Sequence, residues 1–88
     1  MTERTVKVIN RAGIHARPSA LLVQTTKNFS SNIYLEKGTD RINAKSIMGI
    51  ITLGAAYGTE LKILAEGEDE EIAVEILVKL FESKFEEE

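Results

Sequence analysis

Cysteine and tryptophan are absent from this chain of 88 residues, histidine and proline occur once each, and aromatic residues make up only 6%. Without cysteine there are no disulfides and no thiolate metal ligands. With one histidine, His15, a zinc site would need carboxylates for its other ligands, so neither a metal nor a cofactor is expected. No apolar run approaches the ~20 residues that span a bilayer. Nothing ahead of Thr5 reads as a secretory signal, so a cytoplasmic protein with no membrane attachment is the expectation. There is also no Walker A run and no glycine-rich nucleotide loop. Hydrophobic residues still make up 43% of the sequence, which suits one small domain over residues 1–88.

The net charge of −3 conceals a split between the two halves of the chain. Residues 1–46 carry eight Lys/Arg against Glu3, Glu36 and Asp40, a balance of +5. Residues 47–88 carry Lys62, Lys79 and Lys84 against eleven Asp/Glu, a balance of −8. An acidic total with few aromatics argues against a nucleic-acid partner. An acidic protein facing the positive half fits the split, because complementary fields speed docking. Solvated faces with no target explain the charges equally well.

Strands and helices alternate along the chain. Residues Thr5 to Ile9 alternate polar and apolar side chains, as a half-buried strand does. Gly13 can supply a positive φ just before a helix that runs from Ala16 to about Lys27, its apolar side made by Ala20, Leu21, Leu22 and Val23. Pro18 belongs in the first turn, where its missing N–H is not needed. After a break at Phe29 to Asn32, Ile33–Glu36 and Arg41–Asn43 flank a turn at Lys37–Asp40 and predict a hairpin. Ser46 precedes a short helix over Ile47–Leu53, which Gly54 ends. Glu60–Glu66 alternates as a fourth strand. Glu68–Glu71 then opens a long amphipathic helix whose apolar positions are Ile72, Ile76, Leu77, Leu80, Phe81 and Phe85. Only Glu86-Glu87-Glu88 is of low complexity. The order βαββαβα predicts an α+β fold of two layers, an antiparallel sheet with the helices on one face.

The chemistry gathers at Gly13-Ile14-His15-Ala16-Arg17-Pro18. Taken alone, His15 is as well explained as a capping or surface residue. Its neighbours argue otherwise. The first backbone N–H groups of a helix have no intrahelical partners, and its dipole favours an anion there. A neutral imidazole is a nucleophile, and Arg17 is a cationic fork able to grip phosphoryl oxygens. Phosphoryl transfer needs little beyond positioning and charge stabilisation. With no nucleotide loop, such a chain would receive a phosphoryl group and pass it on, as a relay carrier rather than a stand-alone enzyme.

That segment, together with Asn43-Ala44-Lys45-Ser46-Ile47-Met48-Gly49, resembles the two signature segments of the HPr family. These are the histidine phosphocarriers of the bacterial phosphoenolpyruvate:sugar phosphotransferase system. The resemblance covers the whole chain. It implies an open-faced β-sandwich, four antiparallel strands covered on one side by three helices. It implies that enzyme I phosphorylates His15 on Nδ1, that Arg17 and the backbone N–H of Ala16 hold the group, and that the A domains of enzymes II receive it for sugar uptake. It further implies that an HPr kinase/phosphorylase modifies Ser46, a residue otherwise read as a plain helix N-cap. If the two helix starts lie close, phosphoserine there would repel an acidic partner or occupy Arg17. The docking patch is expected to comprise Ile47, Met48 and Ile51, ringed by Arg17, Lys45 and Gln24, with Ile50 in the core. A carrier that visits several partners is expected to be a monomer. Ser19 departs from the alanine usual in the family, and Tyr57 is an unusual residue for one rim of the docking surface. An alternative is a mainly regulatory protein, in which phosphorylated Ser46 builds a surface for a transcriptional regulator and sugar transport is slight. A ligand-binding or scaffold domain sharing only the fold is a third reading.

Overall fold

The computed structural model describes residues 1–86; Glu87 and Glu88 of the acidic terminus lie outside the described residues. Four strands and three helices follow one another as β1 (Thr2–Lys7), α1 (Ala16–Thr26), β2 (Asn32–Lys37), β3 (Asp40–Asn43), α2 (Ile47–Leu53), β4 (Glu60–Glu66) and α3 (Glu70–Glu82), with a 3-10 turn at Lys84–Glu86. The sheet is antiparallel throughout, in the order β1-β4-β2-β3. Among the described residues no helix is long and apolar enough to cross a membrane.

Register explains the two faces. Val6 lies opposite Leu61, Leu35 opposite both Ile63 and Ile42, and Ile33 opposite Ala65. Because side chains alternate along a strand, these residues share one face, and the helices pack on it. There they join Leu22, Ile50, Leu77 and Phe81 in the core. The other face carries the row Thr5, Lys62, Glu36 and Arg41. Arg41 pairs with Glu36 at 2.6 Å and its guanidinium sits 5.3 Å from the centre of the Tyr34 ring. Such a face stays in water without further cover.

Several boundaries differ from those the sequence pattern suggests. The first strand runs over Thr2–Lys7 rather than Thr5–Ile9, because β4 offers ladder partners as far as Ala65 whatever side chains stand at Glu3 and Arg4. Helix α3 buries Ala73, Val74, Leu77, Val78, Leu80 and Phe81, while Ile72 and Ile76, expected inside, are 49% and 38% exposed. At ~100° per residue these isoleucines fall outside the buried stripe, in which small Ala73 is fully buried. Phe85 is in the core as expected, but not as part of the helix. Lys84, Phe85 and Glu86 have φ of 57°, 55° and 61°, which turns the chain back so that Phe85 meets Phe81 edge to face at 4.8 Å. That ring contact adds about 0.5–1.5 kcal/mol beyond the area it buries.

Candidate functional site

His15 is the N-cap residue of α1, in an extended conformation (φ −109°, ψ −153°), and its side chain makes no capping hydrogen bond. The imidazole is exposed. Three features hold it there. Gly13, at φ +78°, passes so close to the segment after α2 that a Cβ would lie 2.8 Å from the Ala55 carbonyl oxygen. The Ile14 N–H donates to that same carbonyl at 2.8 Å, and the Ile14 side chain is buried in the core. Behind them, Gly13 N–H donates to Asn10 at 3.0 Å, while the Asn10 amide donates to the Lys84 carbonyl at 2.8 Å.

The first intrahelical donor of α1 that reaches back to His15 is the N–H of Ser19, at 2.9 Å from the His15 carbonyl. Ahead of it, Ala16 and Arg17 have N–H groups with no intrahelical acceptor, and Pro18 has none to offer. Two amides therefore stand at the helix start beside the imidazole. No acidic residue occupies the first turn of α1. Arg17 is exposed and forms no ion pair with any described residue. It lines a shallow cavity of about 300 Å³ with Ala20, Leu21, Gln24, Phe85 and Glu86. The arrangement offers a nucleophile, two backbone donors and one cation without a competing anion in the turn. Among the described residues no three His, Cys, Asp or Glu side chains come together as metal ligands.

Ser46 caps α2: its Oγ accepts from the Gly49 N–H at 3.1 Å. Its position along α1 differs from the expected one. Thr26 Oγ1 donates to the Ala44 carbonyl at 2.9 Å, and Lys45 Nζ donates to the Phe29 carbonyl at 2.7 Å. Ser46 thus sits by the C-terminal end of α1, whereas the end of α2, through Ala55, supports His15. Eleven residues of α1 separate the two ends, a rise of ~16 Å. The two helix starts are not neighbours, so direct pairing of a Ser46 phosphate with Arg17 is not what this packing favours.

Exposure on α2 follows the helical period. Ile50 and Leu53 are buried at 1% and 6%, while Ile47, Met48 and Ile51 are exposed at 40%, 67% and 44%. Gln24 is exposed on α1. Lys45 is half-buried, its ammonium held by the Phe29 carbonyl. A second lysine, which sequence reading does not single out, also anchors this surface. Lys37 Nζ donates to the Leu53 carbonyl at 2.7 Å at the C-terminal end of α2, from 16 positions away. No local sequence signal announces such a pairing.

Comparison with known proteins agrees with this geometry. A family profile described as "PTS HPr component phosphorylation site" matches residues 2–83. The phosphocarrier protein HPr of Treponema pallidum is 51% identical over 88 residues, the full length of both chains. The HPr-like protein Crh of Bacillus subtilis is 46% identical over 77 residues, 88% of this chain and 91% of its own. HPr-C-His of Thermoanaerobacter tengcongensis superposes with a TM-score of 0.96 at 55% identity, covering 100% of this chain and 99% of its own. A structure described as the HPr dimer of that organism gives 0.79 at 54% identity, covering 99% of this chain and all of its own.

Proposed function

The chain belongs to the PTS HPr family of phosphocarriers, and on that premise we propose that it takes a phosphoryl group from enzyme I on His15 and delivers it to the A domains of enzymes II. The carrying observation is the start of α1, uncapped by any side chain and free of acidic residues, with His15 exposed on it. The imidazole Nδ1 lone pair attacks phosphorus. A P–N bond forms as the bond to the donor breaks, and the reverse exchange occurs with the acceptor. Charge on the equatorial oxygens is met by the Ala16 and Arg17 N–H groups and the Arg17 guanidinium. Ile47, Met48 and Ile51 give partners an apolar seat, and Gln24 and Lys45 border it. Uptake of sugars on the cytoplasmic side, by a carrier acting as a monomer, completes this reading.

The test is enzyme I with labelled phosphoenolpyruvate. Wild type is expected to gain an acid-labile phosphate and His15→Ala none; label persisting on the variant would sink the assignment. Light scattering of the purified chain checks the monomer.

A second role is regulatory phosphorylation of Ser46 by an HPr kinase/phosphorylase and recognition by a transcriptional regulator, in keeping with the solved Crh relative described as a catabolite repression HPr. A dianion at the start of α2 gains from the helix dipole and places charge beside the apolar seat rather than at Arg17. Kinase and ATP should give an acid-stable phosphate that Ser46→Ala abolishes, and its formation should slow charging of His15 by enzyme I. No acid-stable product would leave the regulatory role without support.

A further inference from the structure

Among the described residues seven large apolar side chains are exposed: Met1, Ile47, Met48, Ile51, Tyr57, Ile72 and Ile76. Three belong to the α2 seat. Tyr57 is the only aromatic among them, 61% exposed, and backbone hydrogen bonds hold the residues on either side of it. Thr59 N–H closes a turn onto the Ala56 carbonyl at 3.0 Å, and Gly58 takes the positive φ of +87° that the turn demands. Val8 bonds both sides of it, accepting from Gly58 at 2.8 Å and donating to Thr59 at 2.9 Å. The other end of the same segment, Ala55 and Ala56, is the one against which Gly13 and Ile14 are seated. The tyrosine turn and the His15 loop therefore form a single hydrogen-bonded unit.

Distance follows from the backbone. A Cβ on Gly13 would lie 3.2 Å from Ala56 Cα. Tyr57 is one residue beyond Ala56 and His15 two beyond Gly13. At ~3.8 Å per step, the two Cα atoms are no more than about 16 Å apart. A protein covering about 800 Å² on each partner reaches about that radius from its centre. A partner that seats on His15 and extends over the turn joined to its loop reaches Tyr57 within a footprint of that size.

We infer that Tyr57 is a specificity-determining contact for the protein that charges His15. Its ring packs on the donor, and its hydroxyl, with no hydrogen bond to any described residue, finds a polar group there. Little conformational entropy is lost on binding because the turn is already fixed, and rigid aromatic side chains are the usual anchors of an interface. Ile72 and Ile76 lie on α3, outside this unit, and serve as the control.

The inference rests on the carrier reading, so the assay must separate the two. Steady-state charging by enzyme I is measured with wild type, His15→Ala, Tyr57→Ala, Tyr57→Phe and Ile76→Ala, each checked for an unchanged melting temperature. No labelling of wild type would overturn the carrier reading itself. With wild type labelled, Tyr57→Ala is expected to raise the KM for the carrier about tenfold at a kcat within about twofold. Tyr57→Phe should lie between the two, and Ile76→Ala should match wild type. A Tyr57→Ala KM within about twofold of wild type, or an equal rise for Ile76→Ala, would overturn the inference.

Discussion

At the start of α3 two carboxylates bind neighbouring segments, whereas the first turn of α1 carries no acidic residue; neither N-cap residue caps its own helix through its side chain. Asp69 accepts from the Ser30 N–H at 2.9 Å, the Ser31 N–H at 3.0 Å and the Ser31 hydroxyl. Glu70 accepts from the Thr2 hydroxyl at 2.6 Å and the Gly67 N–H at 3.1 Å. Led by the Ser31 hydroxyl for Asp69 and the Thr2 hydroxyl for Glu70, these bonds lower both carboxyl groups to about 2. The network fastens α3 to β2 and β1. Helix α1 is anchored instead by Ile14 and Gly13 below its first turn, which leaves its leading amides unspent. One helix start is fastened to its neighbours; the other leaves two backbone donors open, as the proposed phosphoryl transfer requires.

Reversing that difference should have the largest effect. Ala16→Asp places a permanent carboxylate at the first helical position of α1. It should lower the rate of His15 charging about 100-fold, since it opposes the charge that the site must bind. The same change should raise helix stability by roughly 0.3–1 kcal/mol through the dipole. Rapid-quench labelling and thermal melts read the two consequences, and unimpaired charging would refute the comparison. Arg17→Ala should cost less, about tenfold, with no change in melting temperature.

At α3 the expectation is the converse. Asp69→Ala should lower the melting temperature and leave His15 charging at the wild-type rate, a separation that paired melts and labelling would show. Acid should act through the same residues. Their folded pKa values of about 2 lie below the ordinary values of 3.8 and 4.5, so their stabilisation is fully present above pH ~4.5. It is lost as pH falls through that value toward 2. Denaturant melts across this range should show stability declining, and the decline should be shallower in Asp69→Ala. The smallest effect lies back in α1, where the Ser19 hydroxyl is buried without a hydrogen-bond partner among the described residues. Ser19→Ala should be neutral or stabilise by up to ~1 kcal/mol in denaturant titrations, with charging unchanged.

Much of this molecule is legible from local pattern. The order of elements, the span of α2 between Ser46 and Gly54, the whole of β4 and the start of α1 all follow from periodicity, caps and turn residues. The first residues of β1 escape it because a ladder needs partners, not alternation. The solvent-facing side of α3 escapes it because bulk favours Ile72 and Ile76 while fit against the sheet favours Ala73. Around the site, His15, Arg17 and the exposure of Ile47, Met48 and Ile51 are readable in advance. The anchoring of Lys45 and Lys37 to backbone carbonyls is not, since those bonds span 16 positions.

By itself, then, the sequence determines the chemistry available: one imidazole, one arginine two residues on, and a proline that fits the first turn of a helix. These are matters of residue type and spacing within a single turn. Tertiary packing alone decides what surrounds them. It brings the end of α2 to His15, sets Ser46 at the far end of α1 and joins the Tyr57 turn to the His15 loop. Each of those results depends on contacts between segments distant in the chain, which local spacing does not encode.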